Sequence, residues 1–77
     1  MANRAKGNEY LVVYEKTATG YSAYVPDLPG CITTGATLTD TKRNMQEAIG
    51  GHLAVMREFG DPIPHPAAIA EPIQVPA

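Results

Sequence analysis

One amphipathic stripe limits what this chain can fold into. The apolar positions Leu38, Met45, Ala48, Ile49, Leu53, Met56 and Phe59 recur at helical spacing, and Lys42, Arg43, Gln46, Glu47 and Arg57 fall elsewhere. Thr37 is placed to cap the helix N-terminus, and Asp40 follows at the third helical position, where its charge suits the helix dipole. Gly60 is a natural C-terminal stop before Asp61-Pro62. The pattern predicts a helix over about 38–59. Gly50 and Gly51 interrupt it, each costing about 1 kcal/mol relative to Ala. They read either as a tolerated weak spot on the outer side or as a place of close approach by another chain. A helix with one apolar stripe must lay it on another layer.

The preceding residues supply that layer as strands. Tyr10 to Lys16 is β-branched and aromatic, with Tyr10, Val12 and Tyr14 on one face and Leu11 and Val13 on the other. A strand apolar on both faces has two surfaces to cover. Thr17-Ala18-Thr19-Gly20 makes a turn, and Tyr21, Ala23 and Val25 alternate with Ser22 and Tyr24, which together predict an antiparallel hairpin. Pro26 and Pro29 bracket Asp27-Leu28, so ladder bonding lapses there, and Gly30 lets the chain reverse into a third strand, Cys31 to Thr34. After the helix comes an extended, Pro-rich PIPHPAA segment. Ile69, Glu71, Ile73 and Val75 then alternate with Ala70, Pro72 and Gln74, which predicts a final strand, placed on an edge by Pro72. The expected fold is a two-layer α+β domain of order β-β-β-α-β, an antiparallel sheet with one helix packed on one face. Residues 1–9 are polar without a period and read as a flexible N-terminal arm. Residues 10–77 form the domain.

Seventy-seven residues hold one small domain, and such domains are marginal without a staple. The single cysteine, Cys31, forms no intrachain disulfide, and Cys31, His52 and His65 are too few for a structural zinc site made of Cys and His alone. Self-association, as a dimer or tetramer, is therefore expected. Six Lys/Arg against eight Asp/Glu give a net charge of −2, without the basic excess of a non-specific nucleic-acid binder. No run is long and apolar enough to span a membrane, and no signal-peptide core opens the chain, so a cytoplasmic location is expected.

Catalytic signals are weak. Cys31 has no neighbouring cation or helix start in sequence to lower its pKa, and reads as a half-buried structural thiol. His52 lies within the helical stripe and reads either as a core-edge histidine bonded to sheet backbone or as an interface residue. His65, between two prolines, reads as a solvated loop residue. Carboxylates such as Glu15, Asp27 and Asp40 are dispersed, and HExxH, GxGxxG and P-loop patterns are absent. The chain is expected to use no cofactor or metal and not to be an enzyme.

The most specific stretch is GYSAYVPDLPGCITTGATL. With Glu47-Ala48-Ile49, His52-Leu53 and Gly60-Asp61-Pro62-Ile63-Pro64 following in order, residues 10–66 resemble the HicB-like antitoxin family. The resemblance implies a partial RNase-H-like fold. It also implies a bacterial or archaeal type II toxin–antitoxin role: binding a small basic mRNA-cleaving ribonuclease, a HicA-like toxin, and covering its active site. Many members carry a C-terminal DNA-binding element. No direct DNA binding is expected from this chain, which is read as the stand-alone N-terminal-type domain without that tail.

Inhibition of that kind needs contact surface rather than chemistry. Tyr10, Tyr14 and Tyr24 are candidates, either for partner contact or for sheet packing and a subunit interface. The PDLPG loop either turns the chain or presents Asp27 and Leu28, and His52 completes the candidate interface set. The alternative function is an orphan homo-oligomeric domain of the same fold, with a regulatory or small-molecule-binding role and no cognate toxin.

Overall fold

A computed structural model describes residues 9–76. Three strands, β1 (Val13–Lys16), β2 (Tyr21–Tyr24) and β3 (Ile32–Gly35), precede one helix, α1 (Leu38–Glu58). The strands form an antiparallel sheet in the order β1-β2-β3, with Val13 opposite Tyr24 and Tyr24 opposite Ile32. This is the expected α+β architecture. The N-terminal arm, apart from Glu9, lies outside the described residues.

Period-two alternation sorts the sheet faces. Ala23, Val25 and Cys31 point beneath α1 and form the buried core with Leu28 and Met45. Tyr10, Val12 and Tyr14 pack against it from the β1 side. The turn closes with the Thr17 amide donating to the Gly20 carbonyl. Gly20 is buried because a Cβ there would collide with the Gly35 carbonyl and Ala36.

The helix ends follow their side chains. The Thr37 hydroxyl accepts from the Asp40 amide at 3.0 Å. At the other end the Gly60 amide donates to the Arg57 carbonyl and the Asp61 amide to the Met56 carbonyl, with Gly60 at φ 71°. That pair of bonds satisfies orphan carbonyls and stops the helix. Phe59 serves as the C-cap, one residue inside the expected boundary. Leu38 and Phe59 stay exposed although they belong to the stripe. Length explains this at the two ends: 21 residues of helix run about 31 Å, whereas four-residue strands run about 13 Å.

The predicted final strand does not form. Residues 69–76 are exposed and pair with no strand among the described residues. The chain is tied down before it reaches them: the Tyr10 hydroxyl donates to the Pro64 carbonyl at 2.5 Å, and the Asp27 carboxylate accepts from the Ala67 and Ala68 amides. Beyond Ala68 no neighbouring edge of the chain's own sheet is engaged, so the alternation of Ile69, Ile73 and Val75 has nothing to pack on.

Candidate protein-binding surfaces

The helix-free face of the sheet carries two cross-strand rows. Strand register aligns Val13, Tyr24 and Ile32 across all three strands, and Glu15, Ser22 and Thr34 beside them. Tyr24 is 41% exposed and Ile32 65%. Opposed side chains on neighbouring strands lie close enough to form one continuous surface. The result is an apolar row next to a polar row with Glu15 at its end, an arrangement suited to a protein partner: apolar centre, polar margin.

A second surface lies between β3 and α1. Pro29, Cys31, Ile32, Gly51, His52 and Met56 line part of an open groove of about 590 Å³. Gly50 and Gly51 have no atom within 4 Å of where a Cβ would stand, so this flank of the helix is uncovered. His52 is half-buried in the groove wall and makes no hydrogen bond to the sheet backbone among the described residues. Cys31 is buried, and burial raises its thiol pKa, which disfavours the reactive thiolate. Among the described residues no three His, Cys, Asp or Glu side chains gather as a metal site needs. No described helix is long and apolar enough to cross a membrane.

The candidate residues are divided by this geometry. Tyr10 and Tyr14 lie half-buried on the helix side of the sheet, whereas Tyr24 lies on the opposite face. Burial raises the Tyr14 pKa. Leu28 is 1% exposed and plugs the core, held there by bonds from its amide to the Val25 carbonyl and from the Cys31 amide to its own carbonyl. Asp27 is occupied with the Ala67 and Ala68 amides. The PDLPG loop thus serves the chain's own packing on both sides. Ile32 was missed as a surface residue, although its alternation with Cys31 and Thr33 already placed it on the outer face.

The family profile described as HicB_like antitoxin of bacterial toxin-antitoxin system matches residues 10–77. A UPF0150 protein of Thermoplasma acidophilum is 35% identical over 73% of this chain and 83% of its own length. A UPF0150 protein of Thermotoga maritima is 33% identical over 82% and 80%. An uncharacterised 14.9 kDa protein from the rep-hol intergenic region of Haemophilus phage HP1 is 37% identical over 87% of this chain, which spans only 50% of the phage protein. In three dimensions the fold matches a chain from a HicA3 and HicB3 toxin-antitoxin complex with a TM-score of 0.68 and 33% identity, over 78% of this chain and 70% of that one. Its ordered motifs, its three-stranded sheet under one helix and these matches agree: the chain belongs to the HicB-like antitoxin family.

Proposed function

We propose that this chain is an antitoxin module that binds a small HicA-like ribonuclease toxin and neutralises it by covering its active site. The observation that carries the reading is the fold match, at 33% identity, to a chain of a HicA3 and HicB3 complex, together with the family match over 10–77. The neutralising step requires no chemistry from this chain. The helix-free face is the surface assigned to the toxin, with Tyr24 central, Val13 and Ile32 beside it, and Glu15 at the margin. A net charge of −2 favours encounter with a basic partner, and the apolar row then slows dissociation.

The test is co-expression with a candidate HicA-like toxin, sought as a small basic protein encoded beside the gene. A stable complex and restored growth are the expected results. Toxicity that persists with no complex would remove the antitoxin reading. Tyr24→Asp separates the assigned face from the general reading: it weakens the complex while the circular dichroism of the free chain stays unchanged.

A further inference from the structure

The exposed tail has a strand's pattern and no partner. Ile69, Ile73 and Val75 are 82%, 78% and 78% exposed. In extended backbone the N–H and C=O of one residue point to the same side, and those of the next to the other. Residues 69, 71, 73 and 75 therefore present one edge on which every N–H is intact. The opposite edge is broken by Pro72 and Pro76. Such a strand accepts a neighbour on one side only, and its prolines prevent further strands from adding.

The sheet offers a matching edge. The Val25 amide bonds to the Cys31 carbonyl and the Thr17 amide to the Gly20 carbonyl. These bonds fix the alternation: Val13 and Glu15 turn toward β2, so the backbone groups of Tyr14 and Lys16 face outward from β1. No hydrogen bond to those groups occurs among the described residues. On β3, by contrast, the outward Thr34 carbonyl is already taken by the Asn44 side chain at 2.8 Å. The helix also leaves β1 open, because α1 lies over β2 and β3. Ile49 and Leu53 stand half-buried on the helix flank away from the Gly51 groove.

We infer that residues 69–75 of one copy add as a fourth strand to the β1 edge of a second copy, which returns its own tail in the same way. With the added strand antiparallel to β1, Ile69, Glu71, Ile73 and Val75 turn to the helix side; the three apolar side chains extend the layer beside Ile49 and Leu53, and Glu71 shares that face. The occupant is a second copy because the tail's root is fixed to its own body at Tyr10 and Asp27, while the tail itself stands clear of it. The exchange is two-fold and closed, so it ends at a dimer. It does not depend on the antitoxin reading.

Proline placement tests it in the full chain, measured alone by light scattering. Glu71→Pro removes an amide from the pairing edge, whereas Gln74→Pro falls on the edge that Pro72 already interrupts. The wild type and Q74P are expected to be dimers, and E71P at least tenfold weaker in self-association. A monomeric wild type, or equal behaviour of the two proline variants, would overturn the inference. In a mixture of isotopically labelled and unlabelled copies, nuclear Overhauser contacts between the Ile73 methyls and the Tyr14 ring are expected between copies. Finding them only within one copy would overturn the exchange.

Discussion

A Cβ on Gly35 would stand 2.5 Å from the Thr41 hydroxyl oxygen, so β3 and α1 touch with no side chain between them. Thr41 is wholly buried at this contact, and its hydroxyl donates to the Thr37 carbonyl at 2.7 Å. A polar side chain is tolerated in the core because its one donor is used locally. The close approach brings the helix down onto the small residues of the sheet.

Gly35→Ala is therefore expected to destabilise the domain by about 1–3 kcal/mol through overpacking. Thr41→Ala does not rescue it, because the Thr41 amide nitrogen and Cα stand 2.7 and 2.9 Å from the same point. Urea unfolding of the two single variants and the double variant measures this. Full rescue by T41A would show that only the hydroxyl is in the way.

Leu28→Ala is expected to cost about 2–5 kcal/mol, the range for emptying a buried aliphatic site. Phe59→Ala, on the overhanging helix end, is expected to change stability by less than about 0.5 kcal/mol. Thermal unfolding of both variants checks the contrast. A mild effect at Leu28 would mean that the PDLPG loop does not plug the core.

Thr37→Ala removes the acceptor for the Asp40 amide and is expected to cost about 1 kcal/mol. Thr37→Ser keeps the hydroxyl and most of the stability. Both are read from denaturant midpoints at constant m-value.

Burial raises the pKa of Cys31 above its ordinary 9.0 and that of Tyr14 above its ordinary 10.0. The unfolded chain thus ionises first as pH rises. Stability is fully present below the unfolded values and is lost as pH climbs through them toward the folded ones. Urea midpoints are expected to fall as pH rises through the ordinary values of 9.0 and 10.0, with no comparable loss from these two groups at neutral pH and below. A flat alkaline profile would contradict the burial of both groups.

Asp27→Ala releases the Ala67 and Ala68 amides, which lose their shared acceptor. Faster hydrogen exchange is expected at these two amides, with β2 and α1 unchanged. Unaltered exchange would mean that the tail's root is held by other contacts.

Local signals were read well where local physics decides. The Thr37 cap and the Gly60 stop depend on backbone groups within one turn, so residue type and spacing suffice. The hairpin around Thr17–Gly20 follows from alternation on both sides of one short turn. The antitoxin family was also legible, because its motifs are ordered along the chain. Leu28 was harder: between two prolines it reads equally as a presented residue or an inward plug, and only the position of the core beneath the loop separates them. Tyr10, Tyr14 and Tyr24 all read as strand aromatics, but parity places Tyr24 on the other face.

The chain's own sequence determined its elements: three short strands, one capped helix and a proline-marked extended tail, each set by contacts within a few residues. Tertiary structure alone decided how the helix sits, because that depends on the missing Cβ of Gly35 meeting Thr41 across the layers. It also decided the fate of residues 69–75. Alternation makes a segment competent to be a strand, but a strand exists only where another edge supplies its hydrogen bonds, and Tyr10 and Asp27 hold this tail short of one.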